Sequence, residues 1–464
     1  MADRKKIVYP YIPNSVPEVQ EEMLASIGAK SIDEFYQCIP EPLRFRGKMD
    51  LPEPFLDEYS LKRHMEKMLK KNRGTHENLS FLGGGCWQHH VPAVCDEINH
   101  RSEFLTAYAG EPYEDHGRFQ ALFEYTSMMG ELLEMDAVNV PTYDGSQAAS
   151  TALRMACRIT GRDTVLVAEN IHPDRMLVIR NYCHPGVTLR TVPFCEKTGT
   201  LDLEALKKSL TPDVAGLYVE NPNFLGALET EASKMAELLH SSGALFVVGV
   251  DPSSLGVLAP PVQYGADIVC GDIQPLGMHM YAGGARAGFI ATRDEERFVQ
   301  QFPSRLFGVA PTTHKEWGFG DVAWERTSFA KREEAVEFVG TASALWGITA
   351  GVYLALMGPQ GMKDLGEGIF QRSAYLAAKV QELPGVKVLF EGTPFFKEFA
   401  VNFQGTGKSV QEINKALLER GVFGCLDLSR KFPSLGETGL FCVTEVHSQD
   451  DMDTLVRLLK EILG

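Results

Sequence analysis

The sequence has no dense patch of positive charge. It contains 45 Lys and Arg against 61 Asp and Glu, a formal net charge of −16, and no basic run is interleaved with aromatic residues. Such a chain lacks the cationic surface that holds a phosphate backbone or an anionic lipid layer. Neither nucleic acid nor a membrane is therefore expected as a partner.

Signals for export, disulfide formation and metal binding are also missing. The first residues, "MADRKKIVYPYIPNS", contain no apolar segment of the kind found in secretory signals. The nine cysteines are odd in number and form no C-x-x-C pair, and His89–His90 has no acidic or cysteine partner at a metal-ligand spacing. We expect a cytoplasmic protein with reduced thiols and no metal site.

One uncharged run, residues 338–362, is long enough to cross a membrane. It contains five glycines, however, and it ends at the helix-breaking "GPQG". This composition favours a buried helix at a domain junction over a membrane span.

Between about residue 145 and residue 272, short apolar runs alternate with helical segments. Typical runs are "DTVLVAEN", "VAGLYVENPNF", "ALFVVGVD" and "ADIVCGD". This alternation predicts an α/β domain with a mainly parallel sheet wrapped by helices.

The two ends of the chain have a different pattern. Residues 1–75 predict a helical and extended arm, with a capping box at Ser15 and Glu18, and residues 336–464 predict a linker helix followed by a small α+β domain, with a capping box at Ser409 and Glu412. With a large α/β domain at 76–335, this plan is typical of the pyridoxal-phosphate (PLP)-dependent transferase fold, type I. Its active site lies at the carboxyl edge of the sheet.

A phosphate cradle is one interpretation of "TYDGSQAASTAL" (142–153). Tyr143 and Asp144 precede a helix start at which Gly145 allows close backbone approach and Ser146 offers a hydroxyl, while the helix N-terminus offers N–H groups to an anion. An ordinary helix capped by Asp or Ser explains the motif equally well.

Two further side chains are candidates for contact with a flat cofactor ring. Asp251 follows an apolar strand run, where a carboxylate can pair with a pyridine nitrogen, but it can equally cap the turn that follows. His172 follows the run "DTVLVAEN", where it can stack on a ring or cap the next helix.

The stretch "GDIQPLGMHMYAGGARAGF" (271–289) contains no lysine, although PLP enzymes hold their cofactor at such a turn as a Schiff base. No lysine lies between Lys234 and Lys315. The pair His314–Lys315 falls in a polar loop, where a solvated lysine is the simpler interpretation.

Five segments occur in the order and spacing of one family: "SFLGGG" (80–85), "RSEFLTAY" (101–108), "YDGS" (143–146), "ADIVCGDIQPLG" (266–277) and "VYLALMGPQG" (352–361). The chain resembles the P-proteins of the glycine cleavage system, and among them the alpha subunit, or subunit 1, of the two-subunit glycine decarboxylase. The similarity covers nearly the whole chain.

This resemblance implies an α2β2 assembly in which both subunits have the PLP fold and the beta subunit carries the Schiff-base lysine. PLP is then expected on the partner and not covalently on this chain, with Gln274 at or near the lost lysine position. The complex would decarboxylate glycine and pass the aminomethyl group to the lipoyl arm of H-protein. The cleft-lining or vestigial site residues would be Tyr143, Asp144, Gly145, Ser146, His172, Asp251 and Gln274.

Two segments depart from the family pattern. Residues 106–118 are "TAYAGEPYEDHGR" where the family has a sequence close to "TAYTPYQPEISQG", and 332–345 lacks the family's polar side chains. Three alternatives to a glycine decarboxylase subunit therefore stay open. They are a catalytically silent scaffold or regulatory paralogue, a subunit acting on another amino acid, and an independent PLP enzyme that uses an unrecognised lysine.

Overall fold

The computed structural model describes residues 8–9, 11–45, 47, 49–104, 118–284, 286–336 and 342–464. Most of the divergent segment 106–118, and residues 337–341 of the second, lie outside these described residues. The helices are α1 Pro17–Ser26, α2 Glu58–Leu69, α3 Ala93–His100, α4 Phe119–Leu133, α5 Gly145–Thr160, α6 Pro173–Cys183, α7 Leu203–Ser209, α8 Ala232–Ser242, α9 Glu296–Val299, α10 Ala344–Gln381, α11 Val410–Leu418 and α12 Gln449–Leu463. The strands are β1 Leu79–Ser80, β2 Ala137–Val138, β3 Thr164–Ala168, β4 Thr188–Val192, β5 Val214–Glu220, β6 Leu245–Val250, β7 Ile268–Asp272, β8 Gly288–Thr292, β9 Phe307–Pro311, β10 Trp317–Asp321, β11 Lys387–Val388, β12 Glu398–Asn402, β13 Val422–Phe423, β14 Leu426–Asp427 and β15 Thr438–Cys442.

The chain divides into two compact units, Met1–Asn72 and Arg73–Gly464. In the first unit, none of the hydrophobic side chains at described positions is buried, and both α1 and α2 lack buried residues. Apolar side chains such as Tyr11, Leu43 and Leu56 are largely exposed instead. The helical and extended arm predicted for residues 1–75 stays a prediction.

The second unit is built on a seven-stranded sheet with the order β2-β8-β7-β6-β5-β3-β4. The pairs β3–β4, β3–β5, β5–β6 and β6–β7 are parallel, and β8 runs antiparallel to both β7 and β2. Every residue of β5, β6 and β7 is buried, as expected for central strands covered by helices on both faces. The predicted mainly parallel α/β sheet is confirmed.

Residues 344–362 of the uncharged run predicted as a buried helix form the first half of α10. The helix breaks at Gly358, where φ is +58°, directly before Pro359. Its first half packs into the core of the large sheet, while Ala377 and Val380 in its second half belong to the core of the C-terminal part. Among the described residues, no helix is long and apolar enough to cross a membrane.

The C-terminal part contains a four-stranded antiparallel sheet with the order β11-β12-β15-β14. Helices α11 and α12 cover this sheet, and its core contains Phe399, Phe403 and Phe441. The small α+β fold predicted for this region is confirmed. Lys397, directly before strand β12, contacts Asp251 at the carboxyl edge of the large sheet.

The two predicted capping boxes have different outcomes. The box at Ser409 and Glu412 is present at the start of α11 and is confirmed. The box at Ser15 and Glu18 was wrong, since α1 begins at Pro17 and the Ser15 hydroxyl donates to the backbone carbonyl of Tyr9 instead. The reason is that the fixed φ of a proline favours the first helical position, which moves the cap one residue past the serine.

Candidate functional site

Three acidic residues meet at the carboxyl edge of the large sheet. Glu220 ends β5, Asp251 follows β6 and Asp272 ends β7. Because β5, β6 and β7 are adjacent and parallel, their carboxyl ends lie side by side. All three side chains are largely buried, so each needs a compensating donor or cation.

Asp251 has two sets of partners. Its Oδ1 accepts hydrogen bonds from the Ser253 N–H at 3.0 Å and the Ser253 hydroxyl at 2.8 Å, so it caps the turn after β6. Its Oδ2 lies 2.6 Å from the Lys397 Nζ. The sequence offered two roles for Asp251, a cap of this turn or a partner for the nitrogen of a cofactor ring. The structure shows the cap, and the second oxygen is paired with a lysine.

Lys397 precedes β12 and reaches the sheet edge from the C-terminal part. Its residue is 2% exposed, and it is the one buried lysine among the described residues. The ammonium lies 3.5 Å from the centre of the Trp87 ring and also contacts the Ser253 hydroxyl at 3.3 Å and the His89 Nε2 at 3.2 Å. An aromatic face and a carboxylate together compensate for its lost hydration.

His89 connects Lys397 to Glu445. Its Nδ1 lies 2.9 Å from the Glu445 Oε2, and the His90 N–H donates to the Glu445 Oε1 at 2.7 Å. Burial acts to raise the pKa of Glu445, but His89 and the backbone N–H groups outweigh it and lower the pKa to about 2. His89 thus lies between Lys397 and Glu445 in a largely buried network of charged and polar groups. The described residues contain no group of three or more potential metal ligands.

The start of α5, predicted as a phosphate cradle or as an ordinary cap, already holds carboxylates. Asp144 is the N-cap and accepts from the Gln147 N–H at 2.7 Å. Asp272 accepts from the Gly145 N–H at 3.1 Å and from the Gln274 N–H at 3.0 Å. Burial raises the pKa of Asp272, but it acts as an acceptor in each of these bonds, as a carboxylate does.

The two remaining residues of the predicted cradle differ in exposure. Tyr143 is 55% exposed, and its backbone N–H donates to the Gln147 Oε1. Ser146 is buried and lines an outer groove of about 550 Å³ together with Asp144 and His172.

His172 caps α6, which was one of its two predicted roles. Its Nδ1 accepts from the Asp174 N–H at 3.1 Å, and its Nε2 therefore carries the proton that is donated to the Gly84 carbonyl at 2.8 Å. Burial lowers the pKa of His172. Its ring packs on Phe224 with 4.7 Å between ring centres.

Arg175 is a buried cation close to Gly145, the first residue of α5. It pairs with the Glu220 Oε1 at 2.5 Å and donates to the Tyr218 hydroxyl at 3.0 Å. A Cβ on Gly145 would lie 3.1 Å from the Arg175 guanidinium. The close approach of helix and guanidinium therefore favours a glycine at this position.

Gln274 is fully buried and uses both ends of its carboxamide. The Oε1 accepts from the Trp87 N–H at 3.1 Å, while the Nε2 donates to the carbonyls of Trp87 at 2.9 Å and Met278 at 3.1 Å. The side chain thus ties the loop after β7 to the loop that carries Trp87.

Sequence inspection missed several charged residues of this site. Glu220 and Asp272 end strand runs as Asp251 does, and that signal was sufficient to find them. Nothing in the local pattern pointed to the others, because they reach the site from distant parts of the chain. The missed residues are Arg175, Glu220, Asp272, Lys397, Glu398 and Glu445.

Comparison with known proteins agrees with this geometry. A sequence profile of the glycine cleavage system P-protein matches residues 10–459. A probable glycine dehydrogenase (decarboxylating) subunit 1 from Staphylothermus marinus is 38% identical over 98% of both chains. The chain belongs to the glycine cleavage system P-protein family.

Two solved structures also match this chain. A crystal structure of an inhibitor-bound glycine decarboxylase (P-protein) of the glycine cleavage system matches with a TM-score of 0.85 and 36% identity, over 98% of this chain and 100% of the other. A sphingosine-1-phosphate lyase from Burkholderia pseudomallei matches with a TM-score of 0.65 and 14% identity, over 92% and 94% of the chains, which shows the fold alone. The fold is the type I fold of PLP-dependent transferases, as predicted.

The residues of this P-protein chain do not fit a PLP molecule at the edge of the sheet. The cavity bordered by Asp251, Asp272 and Lys397 has a volume of about 50 Å³. That is room for a few water molecules, whereas small-molecule sites usually measure roughly 300–1,000 Å³. The outer groove is larger, but Asp251 does not line it.

Proposed function

We propose that this chain is the non-lysine, alpha subunit of a two-subunit glycine decarboxylase. It assembles with the beta subunit as α2β2 in the cytoplasm, and the complex decarboxylates glycine and transfers the aminomethyl group to the lipoyl arm of H-protein. PLP, which supplies the electron sink for decarboxylation, is bound by the beta subunit.

The observation that carries this proposal is the combination of subunit-1 relatives along nearly the whole chain with a loop after β7 that has no lysine. In that loop, Gln274 is bound to backbone groups at both ends of its carboxamide. It is therefore a structural side chain at a turn where other enzymes of this fold type hold their cofactor covalently.

Lys397 does not fill the role of the missing lysine. Its Nζ is instead engaged by the Asp251 carboxylate at 2.6 Å. Lys397 also enters from the C-terminal part and not from the loop after β7. The interpretation as an independent PLP enzyme thus has a lysine near the site, but one that is held in an ion pair and lies outside the loop after β7.

Reconstitution tests the proposal. The purified chain is combined with its beta subunit, PLP and lipoylated H-protein, and glycine-dependent exchange of labelled bicarbonate is measured. We expect exchange from the mixture and none from either subunit alone. Borohydride reduction followed by peptide mass spectrometry should find a pyridoxyl group on the beta subunit and none on this chain.

The controls separate the alternatives. A mixture that assembles without glycine-dependent exchange would refute the glycine assignment. Exchange with another amino acid would then identify a related decarboxylase, whereas no exchange at all would identify a silent scaffold. A pyridoxyl group on Lys397 would show that this chain is itself a PLP enzyme.

A further inference from the structure

We propose that Lys397 and Asp272 are built-in counter-ions that take, in this chain, the two charged positions of a bound PLP, so that the folded subunit excludes the cofactor. This inference concerns the chain alone and does not depend on the identity of the amino acid that the complex decarboxylates.

The first position is that of the pyridine nitrogen. In enzymes that use PLP, an acidic side chain pairs with the protonated ring nitrogen. Asp251 lies at the matching place, after a central parallel strand, and its Oδ2 is paired with the Lys397 Nζ at 2.6 Å. A ring cation and the lysine ammonium cannot both contact this oxygen in the space available.

The aromatic surroundings support the same assignment. The Lys397 ammonium lies 3.5 Å from the centre of the Trp87 ring, and Gln274 fixes the Trp87 backbone on both sides. Trp87 therefore packs on the lysine ammonium at the place where a flat cofactor ring would need free space.

The second position is that of the phosphate. A helix N-terminus is a favourable place for an anion because its first N–H groups are unpaired within the helix. At the start of α5 the Gly145 N–H already donates to Asp272, and the Gln147 N–H donates to Asp144. The protein thus supplies its own carboxylates at the place where this fold offers N–H groups to a phosphate.

The ion pair also links the C-terminal part to the edge of the large sheet. Lys397 and Glu398 belong to the C-terminal part, whereas Asp251 belongs to the large sheet. A Cβ on Gly226 would lie 2.2 Å from the Glu398 carbonyl oxygen, which shows how closely β12 approaches this sheet edge. The charge pair therefore joins the two parts of the chain at the sheet edge.

Binding to the unmodified full-length chain is the first test. The probe is pyridoxine 5′-phosphate, which has the ring and phosphate of the cofactor but no aldehyde, so surface lysines cannot trap it. We expect no heat of binding by titration calorimetry and no change in melting temperature. Saturable binding of one molecule per chain would overturn the proposal.

The second test removes the lysine side chain from the position that we assign to the pyridine ring. Lys397→Ala should leave a cavity that exposes the Asp251 carboxylate, and 3-hydroxy-2-methylpyridine should then raise the melting temperature of the variant by about 2 °C or more at saturation. The unmodified chain should not respond. Adding Asp251→Asn to Lys397→Ala should abolish the response, and Lys415→Ala, which changes an exposed lysine of the C-terminal part, should behave as the unmodified chain.

A folded Lys397→Ala variant that does not respond to the ring would contradict the proposal. If the variant does not fold in buffer, its refolding in the presence of the ring is scored by circular dichroism. Recovery of the native spectrum then supports the assignment, and failure to recover counts against it. None of these measurements involves glycine or the beta subunit, so their failure is distinct from that of the proposed function.

Discussion

Glu398 should make the chain lose stability as the pH rises through neutrality. Its side chain accepts the Gly84 N–H at 2.6 Å in a buried setting. Burial raises the pKa of Glu398 from its ordinary 4.5 to about 7, although the Gly84 N–H and Lys397 act to lower it. The folded chain therefore holds this proton more tightly than the unfolded chain does.

The direction and size of the effect follow from proton linkage. The folded state is favoured while Glu398 is protonated, so its contribution is complete below about pH 4.5 and is lost as the pH rises to about 7. A pKa difference of about 2.5 corresponds to roughly 3 kcal/mol at 1.36 kcal/mol per unit. Glu398→Gln, which stays neutral and keeps the acceptor oxygen, should remove this loss.

The assay is the melting temperature of Glu398→Gln and of the unmodified chain between pH 5 and pH 8.5. For a unit the size of residues 73–464, an unfolding entropy of about 2.1 cal/mol/K per residue turns roughly 3 kcal/mol into about 4 °C. We expect nearly equal melting temperatures at pH 5 and a variant more stable by about 4 °C at pH 8. Glu391→Gln, at an exposed position, should show no such trend. A difference that is independent of pH, or a variant less stable at pH 8, would refute the reasoning.

Two further predictions concern single contacts. Lys397→Met should cost about 3–5 kcal/mol because it leaves the Asp251 carboxylate buried without its cation, whereas the double variant with Asp251→Asn should recover most of this loss; chemical denaturation of the four proteins of the cycle measures it. Ser409→Ala should cost about 1 kcal/mol by removing the cap of α11, and Ser15→Ala should change the stability little because Ser15 caps no helix. Equal losses for the two serine variants would show that the cap geometry does not determine their effect.

Much of the fold was predictable from local pattern. The apolar runs that became β3, β5, β6 and β7 are short, rich in β-branched residues and separated by helical segments, which is the pattern of a parallel sheet. The antiparallel strand β8 was not predicted, because a buried apolar run has the same composition in either direction. The start of α1 was misplaced because Ser15 was taken as the cap, whereas Pro17 occupies the first helical position.

The site was predictable only in part. Asp251 and His172 were found because each follows a strand run, and the structure places both beside the cavity at the sheet edge. Their predicted cleft-lining role stays a prediction, as does the division of the chain at residues 75 and 335. Lys397 was not found, since a lysine in the run "PFFKEFAV" has no local feature that distinguishes it from a solvated one.

The sequence by itself determined the family, the mainly parallel sheet and the absence of a lysine after β7, because these depend on residue type and short-range order. Only the tertiary structure decided which charges meet at the sheet edge beside that loop. The charges of Lys397, Asp251 and Asp272 acquire their roles through burial and through distances of about 3 Å between residues far apart in the chain. The first distance is set by the approach of β12 to the large sheet and the second by the packing of α5 on β7, which no local pattern in the sequence records.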